Sequence, residues 1–166
     1  MTMNKAVLTF FCGKMASGKS THSIDIARER NAVLLSEDEW LESMYPNKVK
    51  SLDSYIEYSN RLKPQIKKLA QSILSAGTDV VMDFPGNTIK QRNWFREIFS
   101  EIEASHNLVY IELEDEDCIA QMMKRRVQQP ERAATDTEEI FIQVTKYFQE
   151  PESAEGFNIT VLSKND

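Results

Sequence analysis

Residues 13–20 read GKMASGKS, in which Gly13, Gly18, Lys19 and Ser20 meet the spacing G-x-x-x-x-G-K-[S/T]. Glycines at those two positions let successive backbone N–H groups turn inward and surround a polyphosphate, and a following helix adds the partial positive charge of its N-terminus. Lys19 would then hold the β- and γ-phosphates of a nucleoside triphosphate, Ser20 a Mg²⁺ ion, and Thr21 would lie near the α-phosphate. Lys14 and Ser17, inside the loop, complete the expected phosphate-binding set. An ordinary glycine-rich turn with a solvated lysine is the plain alternative, and the flanks argue against it. Ala6 to Phe11 (AVLTFF) is an apolar run suited to a strand buried on both faces. From Ser20 onward, STHSIDIARER places Ile24 and Ala27 one turn apart with Ile26 alongside, which predicts a helix with one apolar side.

A bound triphosphate has chemical use only beside groups that act on it. Transfer to a hydroxyl needs a carboxylate near the acceptor and cations around the moving phosphoryl group. Glu37, Asp38 and Glu39 follow a second apolar run, AVLL. Asp38 is the expected base, because its short side chain at a strand end holds a more fixed position. Capping explains the cluster equally well, since Ser36 with Glu39 spells a capping box and acids favour a first helical turn. Asp83 ends a third run, DVVMD, where a carboxylate reaches Mg²⁺ or the acceptor; its plain reading is a loop cap before Pro85 and Gly86. Lys124, Arg125, Arg126 and Arg132 supply cations. A helix C-terminus accounts for one or two of them, but not for Arg132 in a stretch broken by Pro130. A cationic segment that closes over phosphates accounts for it, because closure excludes water and places charge on the transition state. His22 and His106 stand alone and read as structural. Cys12 and Cys118 match no metal or redox spacing and read as reduced thiols.

These groups need a scaffold that brings them to one edge. Apolar strand-like runs at residues 32–35, 79–83, 108–113 and 157–162 alternate with helical patterns. The alternation predicts a three-layer αβα fold with a five-stranded parallel sheet, ligands gathering at the strand C-termini. Residues 51–76 carry helical spacing, with Pro64 expected to split or kink them and Gly77 to stop them. Thr88 with Gln91 predicts a capping box for a helix whose buried stripe is Phe95, Ile98, Phe99 and Ile102. A helix is expected over 117–127, with Met122 and Met123 towards the sheet, then a polar loop over 128–135. Asp136 with Glu139 is expected to cap a helix through Phe148. The chain has 166 residues, 41% hydrophobic and 28% charged, with net charge −6. That is a single domain, and its acidity disfavours a non-specific grip on nucleic acid. No run of eighteen apolar residues or signal-peptide pattern is present, so a cytoplasmic location and no membrane partner are expected.

In order and spacing, GKMASGKST, VLLSEDEW, GTDVVMDF, CIAQMMKRR and YFQEPESAEGF resemble the small P-loop kinases that include phage-type polynucleotide 5′-kinase, chloramphenicol phosphotransferase and the zeta toxins. The chain is most similar to the bacterial AAA family ATP-binding protein branch, and the resemblance spans nearly the whole length. It implies ATP and Mg²⁺ as cofactors, a P-loop NTPase fold with a short helical lid over residues 124–136, and an acceptor side built on residues 40–76. By the same likeness Asp38 matches the general base, Asp83 the acidic end of the third strand, and Arg125 the lid arginine. Arg92 falls where relatives carry an arginine in the next helix, a substrate-binding position. Two departures stand out: Leu41 replaces an arginine that polynucleotide kinase carries three residues after its base, and Gln121 replaces an earlier basic residue of the lid helix.

The expected activity is Mg²⁺-dependent transfer of the ATP γ-phosphoryl group to a hydroxyl, with Lys19, Asp38, Arg125 and Arg132 as the catalytic set, Ser20 and Asp83 placing the metal, and Asp38, Asp83 and Arg92 at the acceptor. An ATPase or nucleotide-sensing module without an acceptor is the alternative. A GTPase switch is weaker: Asp83 to Gly86 spells D-x-x-G, but no guanine-reading N-K-x-D follows. Trp40, Tyr45, Tyr55 and Tyr58 could stack a ligand or pack a core, and core is favoured for Tyr55.

Overall fold

Strands and helices alternate along the chain as β1 (Val7–Cys12), α1 (Lys19–Arg30), β2 (Val33–Ser36), α2 (Glu37–Met44), α3 (Leu52–Ser75), β3 (Val80–Asp83), α4 (Ile89–Ser100), β4 (Ser105–Ile111), α5 (Asp115–Gln128), α6 (Glu138–Thr145) and β5 (Ile159–Leu162). This is a computed structural model, and it describes residues 6–164. The five strands pair in parallel in the order β2-β3-β1-β4-β5. Because side chains alternate across a strand, β1 sends Leu8, Phe10 and Cys12 into one core with α3 and α4, and Phe11 into another with Ala27 of α1. Both faces are therefore covered, giving the three-layer α/β architecture.

The order has a direct consequence for chemistry. β3 lies between β1 and β2, and Ser36 pairs with Asp83 in its register. The C-terminal end of β3 thus adjoins the loop after β1 on one side and the start of α2 on the other.

Several local expectations are corrected. Pro64 does not divide α3, which runs as one helix of 24 residues. Its buried stripe of Ser59, Leu62, Ile66, Ala70 and Leu74 continues through the proline. Burying Leu62, Ile66, Ala70 and Leu74 outweighs a cost of roughly 3 kcal/mol. Asn60, whose carbonyl loses its helical donor, is exposed to water. In α1 the buried pair is Ser23 and Ala27, and Ile24 is left largely exposed. β4 begins at Ser105 rather than Leu108: residues 105–107 pair only with β1, β5 joining from Leu108, so polar side chains are tolerated there. Met123 faces solvent while Met122 is buried with Cys118 and Phe141. Ser36 makes no cap hydrogen bond. The cap of α6 is Thr137, not Asp136, which is buried beneath two arginines. The Thr88–Gln91 box forms as expected.

Gly86 is fixed by packing. A Cβ there would come within 2.3 Å of the Phe11 carbonyl oxygen, a backbone atom that cannot step aside. The β3–α4 loop is thereby pressed against the end of β1.

Candidate functional site

The loop after β1 holds its shape through local contacts. A Cβ on Gly13 would fall 2.5 Å from Ser17 Oγ, so the packing of that side chain calls for glycine there, while Gly18 is called for by its backbone at φ +103°. Ala16 also adopts a left-handed φ of +64°, a strained state the sequence does not announce. The Gly13 N–H donates to Asn87 Oδ1 at 2.8 Å, tying the loop to the β3–α4 turn. Lys14 pairs with Asp115 at 2.7 Å and lies over the Phe148 ring, tying it to α5.

At the centre, Lys19 turns back on its own loop and donates to the carbonyls of Gly13 at 2.7 Å and Lys14 at 3.4 Å. Burial lowers its affinity for a proton, Asp83 opposing and Arg125 adding to the effect. An ammonium held on two backbone carbonyls keeps a third donor that an anion could claim. Ser17 Oγ is buried with no hydrogen-bond partner, a second group suited to a ligand oxygen. Ser20 Oγ donates to Asp83 Oδ2 at 2.8 Å. Burial raises Asp83 above the usual carboxylate range, against the Ser20 hydrogen bond and the Lys19 charge. Two oxygens from the protein are what Mg²⁺ takes when phosphates and water supply the rest. Among the described residues no cluster of three His, Cys, Asp or Glu could hold a metal alone.

Asp38 stands across β3 from the phosphate loop with its carboxylate largely exposed, and Arg132 Nη1 lies 3.8 Å from its Oδ2. Arg125 and Arg132 share the buried carboxylate of Asp136. The strand order thus brings Lys19, Ser20, Asp83, Asp38 and Arg132 within electrostatic reach of one another. Beside the loop, a cavity of about 430 Å³ opens between α1, α5 and the end of β5, lined by Gly18, Thr21, His22, Gln121, Lys124 and Leu162 among others.

Arg92 is placed differently from its expected substrate-binding position. It is fully buried, bonded through Nε and Nη2 to both oxygens of Glu155 and through Nη1 to the Gly86 carbonyl. Its guanidinium is committed to the frame, and Gly86, the glycine of the D-x-x-G look-alike, belongs to that frame too. His106 is likewise structural, stacked on Phe99 and accepting from the Asn158 N–H. Trp40, Tyr45, Tyr55 and Tyr58 pack against the main core.

Sequence reasoning gave no separate weight to Glu37. It is buried at the first turn of α2, accepting from Tyr55 Oη at 2.6 Å and Ser59 Oγ at 2.7 Å on α3. The signal was its position directly after an apolar strand. Burial pushes its carboxyl up from 4.5 to about 7, the two hydrogen bonds opposing. The fold therefore binds this proton more tightly than the unfolded chain does. The resulting stability is complete below about pH 4.5 and is lost as pH rises through 7, on the order of 3 kcal/mol in all. Thermal melts of wild type should fall from about pH 5 to about pH 8 more steeply than those of Glu37→Gln. Parallel profiles would remove the buried proton from the account.

Residues 8–151 match the family described as AAA domain. The chain belongs to that family. No curated protein matches it. Among solved structures, this AAA domain chain is similar to Kti12 from Chaetomium thermophilum in complex with ADP-AlF3, at 15% identity and TM-score 0.70 over 96% of this chain and 90% of that one. It is also similar to the APS kinase of Mycobacterium tuberculosis in complex with AMPPNP and APS, at 16% and 0.65 over 98% and 90%. A gluconokinase from Sinorhizobium meliloti matches at 13% and 0.62 over 100% and 86%. At these identities the likeness establishes the shared fold. No helix among the described residues is long and apolar enough to cross a membrane.

Proposed function

We propose that this AAA domain chain is an ATP-dependent phosphotransferase that moves the γ-phosphoryl group to a hydroxyl of a small molecule or nucleotide. The observation that carries the reading is the convergence at Asp38: an exposed carboxylate, across β3 from the Lys19 loop, with Arg132 3.8 Å away. Without an acceptor, the preference of acids for a first helical turn is the account left for Asp38.

In this reading Gly13, Lys14, Ser17, Gly18, Lys19, Ser20 and Thr21 bind the triphosphate. Lys19 exchanges its two carbonyl partners for phosphate oxygens, and Ser17 Oγ gains the partner it lacks. The nucleoside occupies the cavity beside Thr21, His22, Gln121 and Lys124. Ser20 and Asp83 hold the metal, which when bound neutralises phosphate charge. Asp38 accepts the proton of the acceptor hydroxyl, and Arg125 and Arg132, on a lid spanning residues 124–136, place charge on the phosphoryl group in transit. Residues 40–76 form the acceptor side. Arg92 acts from within, fixing the Gly86–Asn87 turn that holds Gly13.

The test follows ADP release with pooled metabolites and, separately, 5′-hydroxyl oligonucleotides, wild type beside Asp38→Asn. Acceptor-dependent release is expected, falling about a hundredfold or more in Asp38→Asn while ATP affinity stays within about twofold. Release that ignores every acceptor and the Asp38 substitution would instead mark a nucleotide hydrolase.

A further inference from the structure

Asp136 takes no part in the reading above, yet it is the most constrained carboxylate near the site. It is fully buried. Its Oδ2 accepts from Arg125 Nε at 2.7 Å and Arg132 Nε at 3.0 Å, and its Oδ1 accepts from Arg125 Nη2 at 2.6 Å. Its own N–H donates to the Arg132 carbonyl at 2.7 Å, just beyond the 3-10 turn Pro130–Ala134 that the Thr135 N–H caps on the same carbonyl. Two guanidinium groups from separate elements, the last turn of α5 and that 3-10 turn, are thus gathered on one anion.

The clamp uses only part of each arginine. Arg125 keeps Nη1, and Arg132 keeps Nη1 and Nη2, outside it. One negative charge against two leaves the group net positive. That charge is directed at the site, because Arg132 Nη1 approaches Asp38 and the Arg125 charge is felt at Lys19. A long flexible side chain ordinarily loses much rotamer freedom when it engages a ligand. Arginines already fixed on a buried carboxylate have lost it beforehand.

We propose that Asp136 is a positioning residue that holds Arg125 and Arg132 in place before nucleotide arrives, with their outward nitrogens towards the terminal phosphate. The inference rests on the phosphotransferase reading for what the arginines meet, and on geometry alone for the clamp.

Two measurements test it. In the nucleotide-free protein, ¹⁵N NMR should show Arg125 and Arg132 Hε protons protected from exchange, and Asp136→Asn should remove the protection from both. Unprotected Hε protons in wild type would overturn the clamp, whatever the protein does with nucleotides. Calorimetry with ATP and with ADP, each with Mg²⁺, then tests positioning. Asp136→Asn should weaken ATP about tenfold and ADP less than about twofold, because only ATP carries the phosphate the arginines face. The preference for ATP should be the same in Arg125→Gln/Arg132→Gln with and without Asp136→Asn. If Asp136→Asn alone does not fold, the triple variant serves in its place, since it strands neither an arginine nor the Asp136 carboxylate: it should lose about tenfold or more for ATP and less than about twofold for ADP. Equal losses for ATP and ADP, or a further change on adding Asp136→Asn to the arginine pair, would make Asp136 a stability element and overturn the proposal. Protected protons with no nucleotide bound by wild type would place the failure in the phosphotransferase reading and end the positioning role with it.

Discussion

Lys19→Met is expected to lower turnover at least about a thousandfold while leaving the protein as stable as wild type or more so. The first half follows from the proposed role of the ammonium. Methionine matches the length of lysine but offers neither charge nor donors, so in that reading the negative charge on the β- and γ-phosphates would be left to backbone amides and the metal. Losses of two to five orders of magnitude accompany removal of a preorganised cation or donor from such a site. The second half follows from burial. Lys19 holds its proton less tightly in the fold than the ordinary 10.5. The unfolded chain therefore binds the proton better, and at pH values below both pKa values the full penalty weighs against folding, disappearing only as pH rises towards 10.5. A neutral side chain removes that penalty, which offsets the loss of the hydrogen bonds Lys19 donates to the Gly13 and Lys14 carbonyls. Steady-state assays and calorimetry check the loss, and thermal melts at neutral pH check the gain. Retention of more than about a tenth of wild-type turnover would refute the first half; a markedly lower melting temperature would refute the second.

Arg92→Met is expected to cost about 3–5 kcal/mol of stability, roughly 10 °C in melting temperature for a chain of this size. The guanidinium is wholly inside, and its removal strands the Glu155 carboxylate, only 12% exposed, together with the Gly86 carbonyl. Leaving one member of a buried pair behind is the costly case, so Arg92→Met with Glu155→Gln should lose less than the sum of the two single changes. Nucleotide affinity should fall as well, because the Gly86–Asn87 turn that Arg92 steadies carries the acceptor for the Gly13 N–H. Denaturant melts of the four proteins in this cycle give the coupling directly. Additive losses, or a single loss below about 1 kcal/mol, would show the pair to be incidental.

What could be read from the chain alone was what is written locally. The glycine loop, the apolar strand runs and the Thr88–Gln91 box lie within a few residues, and each formed. The acceptors and counter-ions that hold the site lie far apart in sequence: Gly13 with Asn87, Glu37 with Tyr55 and Ser59, Arg92 with Glu155. No spacing rule pairs such residues. Arg92 did leave a trace, because it sits three residues before Phe95 and seven before Phe99, inside the apolar stripe of α4. A charge on a buried stripe signals an internal partner rather than a ligand. Asp136 left an ambiguous one: an acid just before a helix reads as a cap, and only the fold shows two arginines converging on it. That Pro64 does not split α3 has the opposite origin, a strong local signal overruled by packing along 24 residues.

The placement of β3 between its two neighbours separates concerns within the molecule. The phosphate loop and Lys19 follow β1, whereas α2 and α3 follow β2, and the two sides meet at Asp83 at the end of β3 and, through Asp38, at Arg132. In the proposed phosphotransferase, substitutions on the exposed faces of α2 and α3 that keep Asp38 can therefore alter the acceptor side while leaving the phosphate loop as it is. Such an arrangement makes the scaffold easy to diversify, and a sensible starting point for redesign.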